Sequence, residues 1–196
     1  MEAWSKGRGI LRCHNSRFGA TELNPGFGHG RFHPFQDSEG RVVPTLYGAS
    51  NVDGALSESI FHNVPVRGSE KAVRRSSLRP MLVSTVAARR DLALIQLHGH
   101  GLVRLGVSRS ELIDSEVRHY ARTAAWAAAL HERQKDADGL VWVSRKFDTA
   151  FGLVLFGDRV DRSDLEVIEP PLPLFLGEGY DEIQRVAGLA GITILG

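Results

Sequence analysis

Among its 196 residues the chain has a single cysteine, Cys13. No disulfide can close within it, and no cysteine-rich zinc site can be built. It lacks any apolar run close to the roughly 20 residues that span a bilayer as a helix. Its first residues, Met1-Glu2-Ala3-Trp4-Ser5-Lys6, lack the charged-then-apolar order of a secretory leader. A cytoplasmic protein without membrane attachment is expected. A charge surplus is missing too: 24 Lys and Arg against 23 Asp and Glu leave +1, so the basic excess that grips nucleic-acid phosphates is absent. There is no HExxH, no internal repeat and no low-complexity tract. Gly26-Phe27-Gly28-His29-Gly30 departs from GxGxxG, with no clear strand before it and no helix directly after. Gly48-Ala49-Ser50 is an incomplete nucleophile elbow. Rossmann and serine-hydrolase readings therefore have little support.

What is present fits one globular domain over residues 1–196. Hydrophobic residues are 42% and charged residues 24%, ordinary proportions for such a domain. Residues 9–14 read as a first strand carrying Arg12, and 15–30, rich in Gly, Asn and Pro, as a long loop. Residues 42–49 read as a strand, with Pro44 near its start. Ser50 or Asn51 then caps a helix to about His62, whose stripe is Val52, Ala55, Leu56 and Ile60, with Glu58 at its rim. Residues 65–80 look like an exposed basic connection. Strands follow at 81–88 and 91–97, then a capping box at Ser108-Arg109-Ser110-Glu111. A long helix is expected from about Ser115 to Gln134. Strands at 139–144, 152–156 and 165–168, a helix at 181–189 and a strand at 192–195 complete the chain. Strands pair more often than they alternate with helices, which predicts an α+β fold with mixed, mostly antiparallel sheets.

Arg31 follows a glycine-rich turn, where backbone approaches an anion closely and a guanidinium can clamp phosphate. Tyr47 sits near a strand end, and Glu58 is a carboxylate able to stabilise positive charge on a sugar carbon. Taken singly, each is an ordinary surface or core residue. Arg12 on the opening strand needs a partner if buried, either a ligand phosphate or an internal carboxylate. Ser115 reads as an N-cap or a site hydroxyl, and Ser144 as a strand-end turn hydroxyl or a site hydroxyl. His98 and His100, at i and i+2, offer a metal-binding alternative.

The order of the motifs carries more than any one of them. Gly30-Arg31-Phe32-His33-Pro34, then Pro44-Thr45-Leu46-Tyr47-Gly48-Ala49, then Ala55-Leu56-Ser57-Glu58 resembles the RES domain family. The resemblance takes in Leu11-Arg12, Tyr120 to Trp126, Gly139 to Arg145 and Gly152 to Phe156, about residues 9–160. It implies an α+β fold similar to ADP-ribosyltransferase toxins, with NAD as substrate rather than as bound cofactor and with no metal. It implies cleavage of the nicotinamide–ribose bond, with inorganic phosphate (giving ADP-ribose 1″-phosphate) or water as acceptor. It also implies a toxin whose partner is an Xre-type antitoxin; a homodimer is left open. Position by position, Arg31, Tyr47 and Glu58 match the catalytic residues, and Arg12, Ser115 and Ser144 the substrate-binding ones. Either serine matches the family's. Phe32-His33 stands where the family has Trp-Asn, the stretch from Arg31 to Tyr47 is longer, and Arg145 replaces a small residue after Ser144. A nucleotide-binding module with lost or redirected activity is the alternative.

Overall fold

The computed structural model describes residues 1–68 and 71–196. An eight-stranded sheet forms its frame. In chain order its strands are β1 (Glu2–Trp4), β2 (Gly9–Asn15), β3 (Thr45–Ala49), β5 (Met81–Ala88), β6 (Leu92–Gln96), β7 (Gly139–Val143), β8 (Phe151–Phe156) and β9 (Leu165–Pro173). Their spatial order is β1-β6-β7-β8-β3-β2-β5-β9. Only β6 and β7 run parallel in this sheet, among the described residues. A second sheet is a parallel pair, β4 (Ala72–Arg74) with β10 (Thr193–Leu195). The helices are α1 (Val52–Ser57), α2 (His100–Leu105), α3 (Arg109–Leu112), α4 (Tyr120–Arg133) and α5 (Gly177–Ala190). The α+β expectation, mostly antiparallel, holds.

Strand chemistry explains the middle of the sheet. β7 and β8 read Gly-Leu-Val-Trp-Val and Phe-Gly-Leu-Val-Leu-Phe, and nearly every residue is buried, as expected where both faces are covered. β3 lies against β8 with Tyr47 opposite Val154. Gly48 lets β3 approach β2: a Cβ there would meet Ile10 Cγ2 at 2.3 Å. One apolar cluster joins Phe32, Trp142, Phe156 and the α4 face through Ala124, Ala127 and Leu130. Ala121 and Ala125 of α4 stay exposed, so the helix turns Ala124, Ala127 and Leu130 to the core. Another gathers Phe61, Leu78 and the inner face of α5.

Several boundaries differ from expectation. β1 was unforeseen, being too short to show alternation, yet Trp4 is wholly buried. β3 starts at Thr45, because Val42 bridges to Gln36 and the Val43 N–H goes to the Phe35 carbonyl. α1 is capped by Asn51 as expected but ends at Ser57 instead of His62. Burying Phe61 and Val64 in the core pulls the chain off the helical path. Glu58 is therefore the residue that closes α1 and not a rim position within it. The basic connection at 65–80 contains β4 and a 3₁₀ turn at Arg75–Leu78, with Leu78 fully buried. Ser69 and Glu70, within that stretch, lie outside the described residues. The capping box forms, but it opens the four-residue α3, and α4 begins only at Tyr120. β9 runs on through Pro170, Pro171 and Pro173, which an edge strand tolerates because one row of its N–H groups has no ladder partner. α5 begins at Gly177, four residues earlier than expected.

Candidate active site

Arg31 is fixed by its backbone neighbours. Gly30 and His33 exchange backbone hydrogen bonds, the Phe32 N–H donates to the Tyr47 hydroxyl at 2.9 Å, and Thr123 Oγ1 of α4 donates to the Arg31 carbonyl. The Phe32 ring, wholly buried, packs edge-on against Trp142. The turn thus drives the Arg31 side chain inward, where it is 2% exposed. Its Nη1 faces Glu58 Oε2 at 3.4 Å, a long contact for a charged pair. Its Nε and Nη2 are buried with no acceptor among the described residues. Buried donors without partners are rare, and each costs about 1–3 kcal/mol.

Glu58 is held more tightly than a surface glutamate. Ser144 Oγ donates to its Oε1 at 2.7 Å, and the Arg145 N–H donates to the same oxygen at 2.9 Å. Ser144 follows β7 and is fully buried, and Arg109 Nη2 donates to its carbonyl at 2.9 Å. Arg31, Glu58 and Ser144, separated by 27 and 86 residues, therefore form one chain of contacts. Tyr47 joins it through Phe32 and packs edge-on to Trp142. Burial pushes the Tyr47 phenol above its usual range, so it stays protonated at neutral pH.

Tyr120 belongs to this centre and is not among the site residues expected from the sequence. Its ring lies 5.8 Å from the Arg31 guanidinium carbon, a cation–π approach. Its hydroxyl pairs with His62 Nε2 at 2.8 Å. The only sequence signal for it was its place at the head of the matched Tyr120 to Trp126 stretch.

The other expected site residues lie further out. Arg12 Nη1 donates to the carbonyls of Ala20 and Glu22 at 2.8 and 2.5 Å, so it ties down the glycine-rich loop. Its partners within the chain are thus backbone carbonyls rather than an internal carboxylate. Burial lowers its pKa to about 10. Ser115 is no N-cap: its hydroxyl donates to the Leu112 carbonyl at 3.2 Å, and its own carbonyl accepts from Arg145 at 3.5 Å. Of the two serines, Ser144 is the one in contact with Glu58. His98 pairs with Glu2 at 2.7 Å, and His100 starts α2. Among the described residues no group of three or more His, Cys, Asp or Glu is placed to hold a metal ion. No helix among them is long and apolar enough to cross a membrane.

Three hollows abut the centre. One of about 380 Å³ is lined by Tyr47, Arg12, His14 and the half-exposed or exposed rings of Phe18 and Phe27. Cys13 lines it too, and burial pushes that thiol up to about 11, which leaves it a poor nucleophile. A second, of about 680 Å³, runs between Tyr120, the Ala-rich face of α4 and residues 33–37. A third, of about 290 Å³, lies by His62, Arg145 and Lys146. Arg31 and Glu58 line none of the three and face each other as a buried pair.

Compared with protein-family models, the chain matches the RES domain over residues 10–176. No curated protein matches it.

Proposed function

The chain belongs to the RES domain family, and on that footing we propose that it cleaves the bond between nicotinamide and ribose in NAD. Breaking that bond develops positive charge at the ribose carbon. The protein must supply a fixed carboxylate near the sugar, donors for the phosphates and a flat wall for the leaving ring. Glu58 is the carboxylate, oriented by Ser144 and the Arg145 N–H. Arg31 is the phosphate donor, and Tyr47 the wall. The electron pair of the broken bond leaves with nicotinamide, whose ring becomes neutral. Orthophosphate, giving ADP-ribose 1″-phosphate, or water, which releases one proton to solvent, takes the sugar carbon. No resident metal or cofactor is assigned.

The observation that carries this reading is the buried Arg31 guanidinium with Nε and Nη2 unpartnered. A protein keeps such a group at the expense of stability only where something else uses it. The direct test is nicotinamide release from NAD by wild type and by Glu58→Gln. Release that Glu58→Gln lowers by about 10²-fold or more supports the assignment, on the scale of losing one placed electrostatic group. Equal release by both sinks it. The family reading further proposes a cytoplasmic toxin whose cleft is covered by an Xre-type antitoxin; co-purification with the product of the neighbouring reading frame tests that.

One observation favours the alternative of a nucleotide-binding module without turnover. Arg31 and Glu58 face each other with 2% and 13% of their side chains exposed. Calorimetry showing NAD binding with no product would select it.

A further inference from the structure

Helix α5 lies beyond the stretch matched to the family, which ends at residue 176, yet it forms one wall of the seat of Glu58. α1 has only six residues, too few to hold a helical shape by themselves, and Gly54 inside it lowers its propensity further. What packs against α1 therefore decides where it sits. On one side it is pressed against the end of β3 and the residue before β8: a Cβ on Gly54 would meet Ala150 Cβ at 2.6 Å and Ala49 Cβ at 3.2 Å. On the other side Leu56, wholly buried, shares a cluster with Ile183, Val186 and Ala187 of α5. Phe61, just beyond Glu58, enters the same cluster. Both flanks of Glu58 are thus anchored where α5 packs. A charged tie joins the two helices as well. Arg185 of α5 donates through Nη1, at 3.3 Å, and through Nη2 to the Asp53 carboxylate in the first turn of α1. Glu182, one turn back on α5, accepts from Arg185 Nε at 3.0 Å and from Nη2 at 2.7 Å, which fixes the guanidinium on its own helix. A two-point, networked pair sets direction as well as charge, unlike an isolated surface pair. α5 is in turn tied down at its far end, where β10 pairs with β4 and the Thr193 N–H donates to the Lys71 carbonyl.

We infer that Arg185 is a positioning residue: through Asp53 it fixes α1, and so the placement of Glu58 against Ser144 and Arg31. Its part in catalysis rests on the NAD-cleaving reading. There a displaced Glu58 stabilises the charge on the ribose carbon less, while Arg31, held by Thr123 and by the turn at Phe32, still binds the dinucleotide.

The test compares the full chain as wild type, Arg185→Gln, Arg185→Lys, Asp53→Asn and the double variant Asp53→Asn with Arg185→Gln, with Arg90→Gln as control. Arg90 and Asp138 form a two-point pair at 2.9 and 2.6 Å, ahead of β6 and β7. Their side chains are 41% and 10% exposed, against 42% and 15% for Arg185 and Asp53, so the control loses a like pair away from Glu58. In nicotinamide release, kcat should fall about tenfold in Arg185→Gln with KM for NAD unchanged, a part of the roughly 10²-fold that a 1 Å displacement costs. Arg185→Lys, which keeps the charge, should recover part of that loss. Asp53→Asn should match Arg185→Gln, and the double variant should be no worse than either single. Arg90→Gln should lose a similar amount of Tm and keep kcat. Unchanged kcat in Arg185→Gln, a raised KM in place of the lowered kcat, an equal fall in Arg90→Gln, or single effects that multiply in the double variant would each overturn the inference. If wild type releases no nicotinamide, the NAD reading fails and amide hydrogen exchange decides the positioning role alone. The Arg145 N–H, which donates to Glu58, should exchange about tenfold faster in Arg185→Gln when referred to the Leu97 N–H of the core, and an unchanged ratio overturns the role.

Discussion

Replacing Arg31 by methionine should abolish activity while leaving stability nearly unchanged. The guanidinium and Glu58 are 3.4 Å apart, which at an effective dielectric of about 20 gives a gross attraction of about 5 kcal/mol. Against that stand two buried nitrogens without acceptors, each costing about 1–3 kcal/mol, and the further desolvation of the charge. The opposing contributions nearly cancel. Removing the arginine does not strand Glu58, which keeps Ser144 Oγ and the Arg145 N–H. Methionine fills most of the vacated volume with a flexible apolar chain. Net change should stay within about 2 kcal/mol, or roughly 4–8 °C in Tm for a chain of this size. Over the same substitution NAD cleavage should fall by about 10²–10³-fold. Calorimetric Tm and nicotinamide release, measured on one preparation, check both halves. A fall in Tm beyond 10 °C (roughly, on the same scale) would refute the reasoning, because Arg31 would then be holding the fold together.

Ser144→Ala removes one of two donors to Glu58 Oε1, and a carboxylate displaced by about 1 Å should lower kcat/KM by about 10²-fold; unchanged kcat/KM would show that the Arg145 N–H suffices. Tyr47→Phe takes away the acceptor of the Phe32 N–H, so denaturant unfolding should show a loss of about 1–3 kcal/mol, and no loss would mean that another acceptor moves in. Burial lowers the pKa of His14 and of His33, both under a tenth exposed. Their unfolded forms take up protons below about 6.5 while the folded forms resist, so stability is complete above that pH and declines as pH falls below it. Tm measured from pH 7 to 5 should drop, and less steeply in His14→Gln; a flat wild-type profile would contradict it.

The sequence was most legible where periodicity or a fixed turn chemistry dominates. The strand at residues 9–14, the Asn51 cap and the capping box at Ser108 all appear in the structure. It was least legible where tertiary burial overrides local preference. Nothing local to residues 58–62 says that Phe61 leaves the helix to reach the core, and that departure is what seats Glu58 opposite Arg31. The convergence of Arg31, Glu58 and Ser144 was readable only from motif order, since no spacing in the chain places residues 86 apart within 2.7 Å. The choice between Ser115 and Ser144 required coordinates, because it turns on which hydroxyl reaches a carboxylate. Tyr120 was missed because an aromatic in a helix looks like core, and its contact with Arg31 joins residues far apart in the chain.

Mass spectrometry of NAD after incubation with the purified chain, in the presence and absence of phosphate, tests the central claim most directly. The account predicts free nicotinamide together with ADP-ribose or its 1″-phosphate, with the phosphorylated product confined to the phosphate-containing reaction and neither product formed at more than trace level by Arg31→Met or Glu58→Gln. Intact NAD under both conditions, or the same products in equal yield from the two variants, would contradict it.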